Sequence, residues 1–288
     1  MKLMMFESSD LAKLGVVVGD DLIDLSACGA VAPETLQELI EGGPSALAAL
    51  SEGIKTAPDA ARLDLNSVKP ALPLPRPGKF ICVGLNYALH AKEGGHDIPT
   101  YPSLFVRWAS SLVAAEEPVI RPKVSDQLDY EVELTIVIGK GGRHIAEEDA
   151  LDHVFGYTIF NDVSVRAYQR KTAQWTPGKN FDGTGPLGPV VVTADELPPG
   201  ASGLRITSRV NGETRQDSNT SDMIFSTARV IAVLSEFMTL EPGDVIATGT
   251  PSGVAHAMKP PGWMKHGDTV EAEIEGIGIL SNPVIDEV

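Results

Sequence analysis

The run Asp129-Tyr130-Glu131-Val132-Glu133-Leu134-Thr135-Ile136-Val137-Ile138-Gly139 constrains this chain more than any other stretch. From Leu134 to Ile138 it is apolar and rich in β-branched residues, the composition of a strand entering a core. Side chains of a strand alternate between faces, so Glu131 and Glu133 point the same way. Like charges on one face repel unless something positive lies between them. A second strand-like run, Gly156-Tyr157-Thr158-Ile159-Phe160, ends in Asn161-Asp162. Three carboxylates at the ends of two apolar strands suit Mg²⁺ or Mn²⁺, with Ca²⁺ also compatible, and not zinc, which prefers His and Cys. An exposed edge strand would hold the same two glutamates in water, and spacing alone does not separate the two readings.

After the strand-like run 79–84, helical signals are few: 87–94, 147–154, 163–171 and 226–238. Between them lie short β-rich runs at 189–193, 204–210, 244–248 and 269–274. That pattern predicts an α+β fold with a mixed or mainly antiparallel sheet, and not alternating βαβ units. Near the N-terminus, 14–25 reads as two strands around a Gly-Asp-Asp turn, and 33–60 as one or two short helices. The proline-dense connector Ala71-Leu72-Pro73-Leu74-Pro75-Arg76-Pro77-Gly78 divides the chain into a small α+β unit, 1–72, and a larger one, 73–288.

The formal net charge of −16 argues against nucleic acid and anionic membranes as partners. An anionic substrate would then need a local cluster of Lys and Arg. Two cysteines, Cys28 and Cys82, make no disulfide framework and fit a reducing compartment. Met1 to Glu7 lacks the apolar run of a signal peptide, and no window of about 18 apolar residues occurs, so the cytoplasm is expected.

Three further segments carry chemistry-bearing residues. His90 and Glu93 stand three apart in a helical signal, where they share a face and a carboxylate can orient an imidazole as general base. A surface helix would hold the same pair by chance; the glycines that follow, Gly94 and Gly95, suit a mobile lid. Lys179 sits in the Gly- and Pro-rich stretch Trp175 to Pro186, where it reads as a fixed positive charge or as an ordinary surface lysine. Thr248-Gly249-Thr250-Pro251-Ser252-Gly253 follows a strand and offers hydroxyls and backbone N–H groups to a carboxylate, or forms a plain turn. Gly139-Lys140-Gly141-Gly142-Arg143-His144 echoes a dinucleotide loop, but His144 stands where the third glycine belongs and no βαβ pattern flanks it.

Taken together these segments resemble the fumarylacetoacetate hydrolase (FAH) superfamily, from about Lys79 to the C-terminus. The resemblance rests on Gly84-Leu85-Asn86-Tyr87 with His90, Asp129 to Leu134, Gly156-Tyr157-Thr158 with Asn161-Asp162-Val163-Ser164, Gly178-Lys179 with Phe181-Asp182, Asn211-Gly212-Glu213, and Pro242 to Ile246 with Thr248 to Pro251. It implies a β-roll or sandwich-like α+β catalytic domain, a homodimer, and a small N-terminal domain of the kind many bacterial members carry. It implies Mg²⁺ or Mn²⁺ on Glu131, Glu133 and Asp162, Lys179 as cationic helper, and His90 with Glu93 activating water on a lid. Arg166, Gln169 and Thr250 match family positions that contact substrate, and Arg107 is a further candidate for an anionic substrate. The chain departs from the family at Asn180 and Gly183, at Arg107-Trp108 and at Ala167-Tyr168; these changes are expected on the substrate-side wall.

The expected reaction is hydrolytic C–C cleavage of a small anionic 2,4-dioxo acid of acylpyruvate or fumarylpyruvate type, through a metal-held enolate. Decarboxylation, isomerisation or hydration of a 2-oxo acid or diacid would use the same site without the C–C hydrolysis. A non-catalytic protein that binds a divalent cation or a small acid is the remaining alternative.

Overall fold

A computed structural model describes residues 1–8, 11–28 and 33–288 of the chain. It is an α+β fold of two large sheets and few helices. The larger sheet has eleven strands. Its centre is the hairpin of Val132–Ile138 and Val154–Asn161, in antiparallel register from Val132 opposite Asn161 to Ile138 opposite Val154. Every residue of Val132–Ile138 is buried, as its near-continuous apolar composition predicts for a central strand. Val245–Ala247 lies antiparallel on its other side, and Phe80–Gly84 continues the sheet parallel to Val245–Ala247.

This topology places the sequence motifs together. The start of Val132–Ile138, the end of Val154–Asn161 and the ends of Phe80–Gly84 and Val245–Ala247 all fall on one edge of the sheet. The segments around Glu131, Asp162, Asn86 and Thr250 leave or enter the sheet at that edge. Asn86 ties them: its side-chain amide donates to Phe225 O at 3.0 Å and Thr248 O at 2.7 Å, and its carbonyl accepts from Phe225 N at 2.7 Å.

The first segment extends the same sheet. Lys2–Ser8 pairs with Gly185–Thr193, and Leu11–Val18, Asp21–Asp24 and Arg62–Asp64 follow outward. Helix α1 (Leu36–Lys55) packs Leu36, Leu39 and Ile40 into a cluster that also holds Phe80, Val137 and Phe160. Thr35 caps α1 by accepting from Glu38 N, and Glu38 returns the favour to Glu34 N, the reciprocal pairing of a capping box shifted by one residue. A five-stranded sheet, Glu213–Asn219, Arg205–Val210, Thr269–Ile274, Gly278–Asp286 and Val119–Arg121, packs Ile206, Ala272, Ile274 and Leu280 against Ile136, Tyr157 and Val192.

The remaining helices are short. They are α2 (Ala88–Glu93), α3 (Arg166–Gln169), α4 (Thr176–Lys179) and α5 (Thr227–Phe237). Two expected helices differ. Glu147–His153 forms 3-10 turns: seven residues secure few i→i−4 bonds, and tight turns suffice to seat Ala150 and His153 in the core. Of 163–171, Ser164–Val165 pairs with Leu128–Asp129 and Arg166 N donates to Gln127 O, so only one helical turn remains. Among the described residues, no helix is long and apolar enough to cross a membrane.

Gly156 sits where the central hairpin meets Gly185–Thr193, and a Cβ there would lie 2.3 Å from Val192 O. Backbone cannot yield as a flexible side chain does. Gly156→Ala is therefore expected to cost about 2–3 kcal/mol, roughly 5–10 °C in Tm. An unchanged melting curve would show that the two strands are not held this close.

Candidate metal centre

The hairpin register builds the floor of the site. One step beyond the Val132–Asn161 pair, Asp162 N donates to Glu131 O at 2.8 Å, and Asn161 Oδ1 accepts from Glu131 N at 2.9 Å. This sets Asp162 beside Glu131, while the strand alternation brings Glu133 to the same side. Ligand oxygens of Glu131, Glu133 and Asp162 lie within 4.8 Å of one another, and all three residues are buried. The two-strand reading of the carboxylates thus describes the structure, and the exposed-edge reading does not.

Lys179 reaches the floor from α4. Its Nζ donates to Glu131 Oε2 and to Asp162 Oδ2, each at 2.6 Å. Pro177 stands second in the single turn of α4, and Gly178 lets it press on α3, since a Cβ there would meet Gln169 N at 2.3 Å. The sequence alone left Lys179 open to a surface reading; it is 2% exposed. Arg166, from α3, bridges Glu131 Oε1 at 2.5 Å and Asp129 Oδ2 at 2.8 Å, and its Nη1 donates to Gln169 Oε1 at 2.9 Å.

Four buried carboxylates, Asp129, Glu131, Glu133 and Asp162, therefore face three buried cations, Arg107, Arg166 and Lys179. Burial opposes ionisation of Glu131, yet the charges of Arg166 and Lys179 outweigh it and hold the carboxyl well below the usual range. Burial likewise opposes protonation of Lys179, and Asp162 and Glu131 reverse that and raise it. Glu133 is the odd acid. Among the described residues its carboxylate accepts only from Gly249 N, at 3.0 Å to Oε2, and burial, then the charges of Asp162 and Glu131, push its pKa well above the ordinary value. That corner favours a proton or a cation. Three converging carboxylate groups with one left uncompensated form an all-oxygen donor set that fits a hard divalent ion.

Above the floor is a cavity of about 420 Å³, lined by the three acids, Arg166, Gln169, Lys179, Thr250, His90 and Glu93. Its lining also includes Arg170, Trp175 and His256. His90 Nδ1 and Glu93 Oε1 are 2.8 Å apart, as the i, i+3 spacing predicts. Glu93 also accepts from Gly253 N, at 3.0 Å to Oε2. The Thr248–Gly253 loop thus does hold carboxylates, but they are the protein's own, Glu133 and Glu93. Thr250 Oγ1 accepts from Gln216 Nε2 at 2.7 Å.

Arg107 is the exception among the expected site residues. Its guanidinium donates to Asp162 Oδ1, Val163 O and Thr184, and it does not line the cavity. It positions a floor carboxylate and is out of a substrate's reach. The departures expected on the substrate-side wall are also elsewhere: Asn180 binds Trp108 N and Val106 O, and Tyr168 packs edge-on against Phe181. Sequence reasoning missed Asp129, Gln216 and His256. Asp129 lay inside the opening motif, and its carboxylate accepts from four groups: Arg166 Nε and the N–H groups of Tyr130, Ala255 and His256. Gln216, in a polar strand, carried no signal.

Residues 79–285 match the family model described as fumarylacetoacetate hydrolase, C-terminal. The chain belongs to the FAH superfamily. It is 46% identical over 225 residues to oxaloacetate tautomerase fahd2, mitochondrial, of Xenopus laevis, covering 77% of this chain and 70% of that protein. Its fold matches fumarylacetoacetate hydrolase from psychrophilic Exiguobacterium antarcticum with a TM-score of 0.85 and 40% identity over all of both chains. Maleylpyruvate hydrolase from Sphingobium sp. SYK-6, in complex with manganese (II) ion and pyruvate, matches with a TM-score of 0.83 and 32% identity, again over all of both chains. This FAH-superfamily member is accordingly an enzyme with an acidic triad able to bind a metal.

If Arg107 holds Asp162 in place, Arg107→Lys, which cannot reproduce the fork of donors, weakens Mn²⁺ affinity about 10–100-fold in calorimetric titration. Wild-type affinity in that variant would remove Arg107 from the support of the site.

Proposed function

We propose that this enzyme is a divalent-cation-dependent hydrolase that cleaves a C–C bond of a 2,4-dioxo acid of the acylpyruvate type. One observation carries the reading: an oriented His90–Glu93 pair lines the same cavity whose floor is the Glu131, Glu133 and Asp162 triad, with buried Lys179 beside it. A divalent ion held by those three carboxylates, Mg²⁺ or Mn²⁺, would supply Lewis-acid polarisation of the 2-oxo acid's oxygens.

The protein's own groups do the rest. The buried floor carries one excess negative charge, which a divalent ion turns into one positive charge, so a 2-oxo acid's carboxylate restores balance. With its Nδ1–H directed at Glu93, His90 keeps an Nε2 lone pair for a proton. His90 takes a proton from water, and the hydroxide adds to the distal carbonyl carbon. The bond from that carbon to C3 breaks, and its electrons pass to C3 and the C2 oxygen as an enolate. Lys179, kept protonated by Glu131 and Asp162, offers fixed positive charge where the enolate forms, without reorganisation. Protonation at C3 releases a 2-oxo acid, and the acyl part leaves as a carboxylic acid.

A second reading is favoured by the 46% identity to an oxaloacetate tautomerase. Here His90 takes the C3 proton of a 2-oxo diacid instead of a proton from water, and returns it to oxygen, with no bond between carbons broken. The same residues serve, and no water is consumed. Reaction in ¹⁸O-water separates the two, because only hydrolysis places label in the released acid.

Treatment with EDTA is expected to abolish turnover of acylpyruvates, and Mg²⁺ or Mn²⁺ to restore it and raise Tm; full activity in metal-free protein would sink the reading. His90→Ala should lower kcat by roughly 10²–10⁴ with little change in Mn²⁺ affinity. A wild-type kcat in that variant would move the base to another residue.

A further inference from the structure

We propose that Arg170, braced by His256, is a second carboxylate subsite, which recognises the far carboxylate of a 2-oxo diacid. The inference rests on the 2-oxo acid reading of the floor and adds the identity of the substrate's far end.

Of the basic groups lining the cavity, Lys179 is held by Glu131 and Asp162, and Arg166 by Asp129 and Glu131. Arg170 is exposed at the mouth and, among the described residues, makes no ion pair with any carboxylate. Its one side-chain hydrogen bond runs from Nη2 to His256 Nδ1, at 2.7 Å. The other donors of its fork remain for a ligand, in the planar geometry that suits a carboxylate. In a chain with 39 acidic and 23 basic residues, an arginine on a cavity wall without an acid beside it stands out.

His256 is itself fixed. Its ring stacks on Trp263, centroids 6.0 Å apart and planes 8° from parallel. Its backbone N–H donates to Asp129 Oδ2 at 3.0 Å, and that oxygen also accepts from Arg166 Nε. Burial, with the charges of Arg170 and Arg166, keeps the imidazole below its ordinary pKa, so Nδ1 remains an acceptor for Arg170. Asp129 thus ties the Arg170 support to the arginine that holds Glu131, and the mouth of the cavity keeps a fixed relation to its floor. Glu93, another acid of the lining, is engaged by His90 and Gly253 N and does not compete for Arg170.

The test compares ligands of equal chain length on Mn²⁺-loaded protein: 2-oxoglutarate against 2-oxovalerate, and 2-oxoadipate against 2-oxohexanoate, by calorimetry. Wild type is expected to bind the diacid of at least one pair about tenfold tighter than its monoacid, the size of one charge-assisted hydrogen-bonded contact. Arg170→Gln should erase that preference and leave monoacid affinity and Tm unchanged. His256→Asn should shrink the preference, again sparing the monoacid. Equal binding of diacid and monoacid at both lengths, or a preference that survives Arg170→Gln, overturns the subsite. Failure of wild type to bind any of the four overturns the 2-oxo acid reading itself, and the subsite with it.

Discussion

Seven charged side chains meet in the interior of this protein, and the cost of keeping them from water governs what surrounds them. A buried ion is tolerated only when it is paired and its remaining hydrogen-bonding positions are filled. Each of the three cations is shared among acids and carbonyls: Lys179 between Glu131 and Asp162, Arg166 between Asp129 and Glu131, Arg107 between Asp162, Val163 O and Thr184. Only Glu133 is left without a cationic partner. An arrangement that compensates three carboxylates and leaves the fourth facing a cavity offers one place able to bind a cation.

Geometry of this kind demands a scaffold that cannot slip. A one-residue shift of Val132–Ile138 against Val154–Asn161 would turn Glu131 and Glu133 to the other face and carry Asp162 away. The register is pinned on both sides, since the strand is buried and pairs with Val245–Ala247 as well as with its hairpin partner. The side chains of Asn161 and Gln216 secure the hairpin's open end, where Glu131 N and Val132 N would otherwise lack strand partners. That edge of the sheet is thus held in part by polar side chains outside the acidic triad.

That division explains what the sequence disclosed. The strand alternation of Glu131 and Glu133, the i, i+3 spacing of His90 and Glu93, and the large share of short strands follow from local periodicity, and the structure has the same arrangement. The burial of Lys179 is set by α4 packing on α3 over Gly178, a contact no local pattern encodes. Arg107 looked like a substrate ligand because charge type is visible in a sequence and its partner is not; the partner, Asp162, lies 55 residues away. Gln216 is more distant still, 84 residues from the Val132 N–H it accepts from, and reads as one polar residue among many.

The same charge accounting bears on selectivity. Lys179, Arg166 and Arg107 are consumed by the protein's own acids, so under the proposed function the floor presents one type of environment for the 2-oxo acid end of a substrate. Relatives that share the fold include a protein named as a tautomerase and others named as hydrolases. Discrimination between such substrates then falls to the wall, where Arg170, His256, Trp175 and Thr172 stand. Three of those four lie in 170–175, between α3 and α4. The helices on either side are fixed by Arg166 and Lys179, so this segment can vary without disturbing the floor.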